Sequence, residues 1–211
     1  DTAPWYGRGL SELRTGAGLR YRPRDEFVLS TKIGRYLKHQ VPGSNTDLSP
    51  WKAPTLFDVV FDYSYDGIMR SYEDSLQRLS LPSIDLLLIH DLDFWFFKTE
   101  PLVTAYLTQL ATSGWRALEE LRTSGAIKGV GAGINQAGMI PRFLDLVDLD
   151  FFLVALSYNL LDQSVLDEEL PRCADAGVGI VGGAIFASGI LATGPVAGAY
   201  YQYAPASPEI L

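Results

Sequence analysis

The sequence predicts an α/β fold built around a parallel β-sheet. Short and almost continuously apolar runs, such as Ile84–His90 and Ala126–Ala132, alternate with longer amphipathic segments. Continuous apolar runs are typical of strands that are covered on both faces, and strands that alternate with helices favour parallel sheets with right-handed crossovers. The chain has 211 residues, 47% of them hydrophobic, and is expected to form a single domain over residues 1–211.

The first half of the chain is predicted to contain two strands, separated by a long loop and a helix. Glu26–Lys32 is a compact β-type run. The polar and aromatic stretch from Ile33 to Tyr63, which includes Pro42, is predicted to be an irregular loop, and loops of this length are usually functional. Before the second strand, Ile84–His90, a helix is indicated by apolar residues at helical spacing, namely Ile68, Tyr72, Leu76 and Leu79.

The second half repeats the alternation of strands and helices. The predicted segments, bounded mostly by Gly or Pro, are a helix at Trp115–Leu121, a strand at Ala126–Ala132, a helix at Pro141–Leu146, a strand at Phe151–Ser157, a helix at Ser164–Ala176 and a strand at Val178–Ala184. The whole chain thus supplies five complete strands, whereas a closed barrel needs eight. The pattern alone leaves two architectures open, a doubly wound sheet and a barrel whose ends are absent from this sequence.

Composition narrows the class of partner. The formal net charge is −8 and no basic cluster offsets it, which argues against nucleic acid and anionic membranes and favours a small molecule. The lone Cys173 excludes an internal disulfide and argues against a cysteine-built metal site. No apolar run approaches the roughly 20 residues of a membrane span, and Asp1–Gly7 lacks the features of a signal peptide. A cytoplasmic location is therefore expected; the oligomeric state stays open, with a homo-oligomer among the alternatives.

Polar residues collect where predicted strands end. Lys32, His90 and Asn135 stand at or just beyond strand ends, and Asp1 and Tyr6 lie shortly before a helix start. The carboxyl ends of parallel strands form the ligand-binding face of such sheets. We therefore expect a carboxylate, a phenol, an ammonium and an imidazole on one rim.

These four groups suit carbonyl reduction and its reverse. A free phenol, with a pKa of about 10, exchanges protons poorly at neutral pH, and a neighbouring ammonium makes its phenolate accessible. A carboxylate would hold that ammonium in place, and a neutral imidazole can orient the substrate oxygen. Taken singly, each residue also has a structural interpretation: Lys32 as a solvated surface charge, His90 as a satisfied structural residue and Tyr6 as packing in a turn.

The joint pattern resembles the aldo-keto reductase family over nearly the whole chain. The matching segments, in family order, are Asp1-Thr-Ala-Pro-Trp-Tyr6-Gly, Val28-Leu-Ser-Thr-Lys32-Ile-Gly, Ser71-Tyr-Glu-Asp-Ser75-Leu-Gln-Arg-Leu79 with Ile84-Asp-Leu-Leu-Leu-Ile-His90-Asp, Gly125-Ala-Ile-Lys-Gly-Val-Gly131 and Phe186-Ala-Ser188-Gly-Ile-Leu191. The runs Phe61-Asp-Tyr-Ser64, Asn159-Leu-Leu-Asp-Gln163 and Tyr203-Ala-Pro-Ala206 resemble the branch of aldose, fucose and pyridoxal dehydrogenases.

The resemblance implies a fold, an activity and a set of site residues. The fold would be a (β/α)8 barrel, present here from the end of its second strand to its seventh, with the parts before and after it missing from this sequence. The activity would be hydride transfer with NADP or NAD and no metal, most simply the oxidation of an aldose at its hemiacetal carbon, or of a related aldehyde or alcohol. The implied catalytic residues are Tyr6, Lys32, His90 and Asp1. The implied cofactor-binding residues are Asn135, Phe186, Ala187, Ser188, Gly189 and Ile190.

Some positions depart from the family pattern. Asn135 follows Gly133-Ile134 where many members have a serine, Ala155 replaces a common glutamine, and Gly183 and Ala184 replace an aromatic residue. The glycines at 129, 131 and 133 look like a dinucleotide-binding fingerprint, but Ile134 and Gln136 stand where its last glycine would be required, so tight packing explains them better.

Other features bear on the substrate and on the class of function. Trp5, Trp51 and Trp95 fall in predicted loops over the same rim and either line a sugar pocket or simply pack. Because fold does not fix function, a non-catalytic nucleotide-binding regulatory subunit is the alternative to a dehydrogenase.

Overall fold

A computed structural model describes residues 1–41, 43 and 47–211. Within these residues the strands are Ser30–Ile33 (β1), Arg35–His39 (β2), Phe57–Phe61 (β3), Leu86–His90 (β4), Gly129–Ile134 (β5), Phe151–Ala155 (β6), Gly179–Gly183 (β7), Tyr200–Tyr201 (β8) and Ala204–Pro205 (β9). The helices are Leu10–Leu19 (α1), Tyr65–Leu79 (α2), Phe94–Phe97 (α3), Glu100–Gln109 (α4), Trp115–Thr123 (α5), Met139–Leu144 (α6), Glu169–Asp175 (α7) and Ile190–Thr193 (α8). None of the helices in these ranges has both the length and the hydropathy needed to cross a bilayer.

The main sheet confirms the predicted fold class. Five strands are hydrogen-bonded in the order β1-β4-β5-β6-β7, and the pairs β1–β4 and β6–β7 are parallel. Helices occur between successive strands of this sheet. This arrangement is the one expected from part of a (β/α)8 barrel.

The described residues divide into two compact units. The first contains Asp1–His90 and Glu100–Gly131, and the second contains Asp91–Thr99 and Ala132–Leu211. A single domain over residues 1–211 stays a prediction.

Helix α2 forms much of the first unit's core for reasons visible in its sequence. It begins where Ser64, as the N-cap, accepts a hydrogen bond from the Gly67 N–H at 3.2 Å, which satisfies one of the backbone donors left unpaired at a helix start. Ile68 and Leu79 are fully buried on one face, as the helical spacing predicted. The helix ends at Ser80, whose φ of 51° cannot continue it.

The stretch predicted to be an irregular loop is partly ordered as a hairpin. Strands β2 and β3 pair antiparallel, with Arg35 opposite Phe61, so this prediction was wrong for those residues. The alternation of buried and exposed residues along β2 is not visible in the sequence, because its inward-facing residues are Leu37 and the charged Arg35. The Arg35 side chain is only 1% exposed. Arginine is rarely buried and is normally interpreted as a surface residue. Pro42, in the same stretch, lies outside the described residues.

Other predicted boundaries also need correction. The helix predicted at Ser164–Ala176 is confined to Glu169–Asp175, because the preceding residues form turns. Trp95 does not lie in a loop but in α3, which begins after Asp93; the Asp93 carboxylate accepts a hydrogen bond from the Phe96 N–H at 2.9 Å.

Helices α4 and α5 are joined by a π-helical turn over Leu110–Gly114. Gln109, just before this turn, and Gly114, its last residue, both lie against the main chain of Tyr63. The Tyr63 N–H donates to Oε1 of Gln109 at 2.9 Å, and a Cβ placed on Gly114 would lie 2.1 Å from the Tyr63 carbonyl oxygen. The residue at 114 must therefore lack a side chain for Tyr63 to pack against this helix.

A close approach of two helices gives a first testable prediction. A Cβ on Gly16 of α1 would lie 1.9 Å from the main-chain oxygen of Leu79, whereas a Cβ on Gly18 would have nothing within 4 Å. We expect Gly16→Ala to destabilise the protein by about 1–3 kcal/mol, because the helices must move apart. Gly18→Ala should be neutral or stabilising by up to about 1 kcal/mol, because alanine favours the helix. Urea unfolding measures both, and equal stabilities would contradict the packing.

The second unit is held together by a buried carboxylate. Glu169, only 6% exposed, accepts hydrogen bonds from the main-chain N–H of Gly138 at 2.6 Å and of Ile140 at 3.2 Å. These groups stand at the start of α6, where backbone donors lack helical partners and negative charge is favoured. The same side chain therefore fixes the position of α7 against α6.

Candidate active site

Lys32, at the end of β1, is held in a defined position. Its side chain is 2% exposed, and Nζ donates to Oδ2 of Asp1 and to the main-chain oxygen of Thr2, each at 2.8 Å. The second Asp1 oxygen accepts a hydrogen bond from the Ser30 hydroxyl at 2.8 Å. A buried ammonium is costly without an anion beside it; Asp1 supplies that anion and fixes the position of Lys32.

Tyr6 lies against this ammonium in a short 3-10 turn, Tyr6–Gly9. Nζ of Lys32 is 4.5 Å from the centre of the Tyr6 ring, a distance at which a cation and an aromatic face attract. The imidazole of His90 meets the same ring edge-on, with centroids 5.7 Å apart at 88°. The structure thus brings Asp1, Tyr6, Lys32 and His90 together within the first unit.

His90 ends β4 and is buried, with 2% exposure. Burial, and then the charges of Arg35 and Lys32, hold the pKa of its imidazole well below the ordinary value. An isolated histidine is half protonated near pH 6.5, so this one is neutral at pH 7. A neutral imidazole can hydrogen-bond a carbonyl or hydroxyl oxygen without adding another positive charge beside Lys32.

The lowered pKa of His90 predicts a pH-dependent stability. Below about pH 6.5 the unfolded chain binds a proton at this residue that the folded chain does not. The free energy of unfolding should therefore decrease as the pH is lowered below about 6.5, until the pKa of His90 in the folded chain is reached. His90→Gln should remove that slope between about pH 5 and 6.5, while His39→Gln, at an exposed residue, should keep it. Urea unfolding across this range tests the difference, and identical slopes in both variants would rule out His90 as its source.

Two further residues contact His90 and were not singled out as site residues from sequence. The Tyr63 hydroxyl and Nη2 of Arg35 both donate to the His90 main-chain oxygen, at 3.1 and 3.3 Å. Tyr63 belongs to the run Phe61–Ser64, which the resemblance had marked, so a signal for it existed. Arg35 follows Lys32 by three residues and offered no comparable signal.

Aromatic side chains surround Tyr6. The ring of Trp51 lies 5.8 Å from that of Tyr6 and 6.0 Å from that of Trp5. Trp5 and Trp51 therefore form a wall beside the phenol, where a sugar ring could stack. Trp95 belongs to the second unit, where Nζ of Lys98 lies 5.0 Å from its ring centre.

Asn135, in the second unit, is fixed by two carboxylates. Its Nδ2 donates to Oδ1 of Asp91 at 2.9 Å and to Oδ2 of Asp93 at 3.0 Å, and its main-chain N–H donates to the same Asp93 oxygen at 2.9 Å. Burial and the Asp91 charge raise the pKa of Asp93, although the hydrogen bonds from Asn135 and Phe96 oppose the rise. Since both amide hydrogens are used, Asn135 offers a ligand its Oδ1 as an acceptor.

The predicted cofactor loop, Phe186–Ile190, is also in the second unit. Phe186 is 59% exposed and borders a cavity of about 410 Å³ that Asn159 and Gln163 also line, a volume within the usual range for small-molecule pockets. The side chains of Ala187 and Ile190 are buried in a small cluster with Ala199. They support the loop, so only its main chain could contact a ligand at these two positions.

The other two loop residues are engaged in local hydrogen bonds. Oγ of Ser188 accepts from the Tyr203 N–H at 2.9 Å, and the Gly189 N–H donates to the Phe186 oxygen at 2.9 Å. A cofactor phosphate would therefore have to use other groups of the loop or displace these bonds. Over residues 1–41, 43 and 47–211, no group of three or more His, Cys, Asp or Glu side chains is arranged to hold a metal ion.

Comparison with known proteins identifies the relatives of this chain. The model of the aldo/keto reductase family matches residues 1–208. The chain is 40% identical over 225 residues to pyridoxal 4-dehydrogenase from Microbacterium luteolum, covering 100% of this chain and 64% of that protein. It is 38% identical over 215 residues to D-threo-aldose 1-dehydrogenase from a Pseudomonas species, covering 100% and 62%. These matches confirm the resemblance to this branch, and the chain spans less than two thirds of each relative's length.

Solved structures agree on the fold. An aldo-keto reductase from Bacillus halodurans in its holo form superimposes with a TM-score of 0.69 at 25% identity, over 96% of this chain and 58% of that one. A glycerol dehydrogenase from Gluconobacter oxydans gives a TM-score of 0.63 at 24% identity, over 100% and 54%. The second match is informative for the fold alone.

Proposed function

Because the chain belongs to the aldo/keto reductase family, we propose that it carries the proton-transfer site of an NAD(P)-dependent oxidoreductase. The observation that supports this most directly is the buried Lys32 ammonium, 2.8 Å from Asp1 and 4.5 Å from the centre of the Tyr6 ring. A surface lysine would not be 2% exposed, and a purely structural ion pair would not need a phenol and an imidazole beside it.

Each side chain has a defined task in this proposal. A bound nicotinamide supplies or accepts the hydride. The Tyr6 hydroxyl donates a proton to the substrate oxygen in reduction and removes it in oxidation. Lys32 stabilises the phenolate form of Tyr6 through its charge, and Asp1 keeps that charge in place. Neutral His90 hydrogen-bonds the substrate oxygen and orients it for the transfer.

The second unit would hold the cofactor. Asn135 can accept a hydrogen bond at Oδ1 from the carboxamide NH₂ of a nicotinamide, because Asp91 and Asp93 fix its amide group in that orientation. The cavity at Phe186 has room for a flat ring, and the loop of Phe186, Ala187, Ser188, Gly189 and Ile190 is proposed to hold the phosphates with main-chain groups.

The proposed substrate is an aldose, oxidised at its hemiacetal carbon, or an aldehyde-level compound such as pyridoxal. Two relatives at about 40% identity are named for such reactions. In this chain, Trp5 and Trp51 stand beside Tyr6, and aromatic walls of this kind suit the apolar faces of sugar or pyridine rings.

The test is a dehydrogenase assay on the full-length protein. A panel of aldoses and pyridoxal is offered with NAD⁺ and with NADP⁺, and nicotinamide absorbance reports turnover. We expect reduction of one of the two cofactors with at least one member of the panel. Cofactor binding without turnover on any carbonyl or alcohol would instead favour the non-catalytic regulatory alternative.

A further inference from the structure

Arg35 is an arginine buried beneath the candidate site. Only 1% of it is exposed, and its guanidinium carbon lies 5.7 Å from the Trp5 ring centre and 5.3 Å from that of Phe61. Burying a guanidinium is unfavourable unless hydrogen bonds and aromatic faces compensate for the lost water. A hydrophobic residue would fill this place more easily, so the charge or the hydrogen bond must serve a purpose.

The hydrogen bond leads to His90. Nη2 of Arg35 donates to the His90 main-chain oxygen at 3.3 Å, and the Tyr63 hydroxyl donates to the same oxygen at 3.1 Å. A carbonyl oxygen has two lone pairs, so these two donors saturate it. The last residue of β4 is thereby fixed through its main chain, which in turn fixes the direction in which its imidazole leaves the strand.

The position of Tyr63 is itself fixed by its surroundings. Its ring lies on Gly34, where a Cβ would come within 2.2 Å of the ring, and its main chain is held by the π-helical turn. Arg35 is fixed in addition by the Ser71 hydroxyl, which donates to its main-chain oxygen at 3.0 Å. Both donors to His90 are therefore preorganised.

The charges that act on the His90 imidazole are both positive. The charged side chains that act on its imidazole are those of Arg35 and Lys32, and both disfavour a protonated ring. The Tyr6 ring meets the imidazole edge-on, and the Asp1 carboxylate is paired with Lys32. Asp91, the next residue in the chain, accepts a hydrogen bond from Asn135. Burial is the largest cause of the lowered pKa of His90, and the charge of Arg35, which exceeds that of Lys32 in effect, adds to it.

We propose that Arg35 is a positioning residue of this enzyme, which anchors His90 through its main-chain oxygen and places a fixed positive charge near its imidazole. The inference rests on the proposed function in so far as His90 orients the substrate. Arg35 itself lies beneath Trp5 with 1% exposure and acts only through His90. Its two effects, a hydrogen bond and a charge, can be separated by substitution.

The variants are chosen to separate these two effects in the full-length protein. Tyr63→Phe removes one hydrogen bond to the His90 oxygen and leaves the charge. Arg35→Lys keeps a charge but loses the planar donor group that reaches the carbonyl. Arg35→Met removes both the charge and the hydrogen bond and leaves a side chain of similar volume. His39→Gln in each background leaves His90 as the only histidine within residues 1–211, and the ring signals of His90, identified by their loss in His90→Gln, can be followed by NMR.

The first readout is the NMR titration of the His90 ring, which does not require enzymatic activity. We expect Arg35→Met to raise the titration midpoint by about half a pH unit to one unit, while Tyr63→Phe and Arg35→Lys leave it nearly unchanged. An unchanged midpoint in Arg35→Met, or an equal rise in Tyr63→Phe, would overturn the charge role. The titration stays informative even if no dehydrogenase activity is found, so this failure is distinct from failure of the proposed function.

The second readout is kcat across pH. Arg35→Lys is expected to lower kcat by about tenfold to a hundredfold, because a small displacement of an orienting group is costly, without moving the acidic limb. Arg35→Met should lower kcat and also move the acidic limb to higher pH. If Arg35→Met does not fold, Arg35→Lys still decides the anchoring role, since wild-type kcat in that variant would refute it.

Discussion

Replacing Tyr6 by phenylalanine is expected to lower turnover by about 10²–10⁴-fold, the usual contribution of a general acid–base group. The phenol exchanges a proton with the substrate oxygen, and phenylalanine keeps the ring that packs on Trp51 and His90. Nicotinamide binding should therefore stay close to that of the wild type. Turnover is measured by nicotinamide absorbance and binding by quenching of tryptophan fluorescence.

The matched control is Tyr21→Phe, which removes a phenolic hydroxyl from a residue that is 84% exposed. This variant should retain full turnover. Near wild-type turnover in Tyr6→Phe on its best substrate would mean that another group transfers the proton. The match at Asp1–Gly7 would then reflect packing only.

Lys32→Met should reduce turnover by a comparable factor. The variant loses the positive charge 4.5 Å from the Tyr6 ring centre, which would stabilise negative charge on the phenol oxygen during proton transfer, and it leaves the Asp1 carboxylate without its cation. Lys38→Met, at an exposed position, is the matched control and should keep the turnover of the wild type. Near wild-type turnover in Lys32→Met would argue against an electrostatic role for this lysine.

The parts of the fold that depend on local pattern could be predicted from sequence. The apolar run ending at His90 and the helix with Ile68 and Leu79 on one face appear as expected, since burial on one or both faces leaves a periodic or continuous signal. The hairpin of β2 and β3 was missed because its inward position is occupied by Arg35. A buried charge breaks the very alternation by which a strand is identified.

The candidate site also contains residues that could be predicted from the sequence and contacts that could not. Asp1, Tyr6, Lys32 and His90 could be placed on one rim because each stands near a strand end or in a motif. The orientation of Asn135, by contrast, depends on Asp91 and Asp93, which lie more than 40 positions away in the sequence. Glu169 likewise reaches back 31 positions to α6. Contacts of this kind arise only when distant elements pack, and no local pattern encodes them.

The π-helical turn at Leu110–Gly114 has a consequence for the register of the outer helix. A π turn contains one residue more than an α turn, and each residue of an α-helix turns the chain by about 100°. Gln109 and Gly114, five residues apart, would therefore lie about 140° apart around a regular α-helix, whereas the π turn keeps them on one face, where both meet the Tyr63 main chain. Converting this turn to a regular α turn at the same chain length would remove one of these two contacts. The extra residue of the outer helix thus supports Tyr63, which donates to the main-chain oxygen of His90.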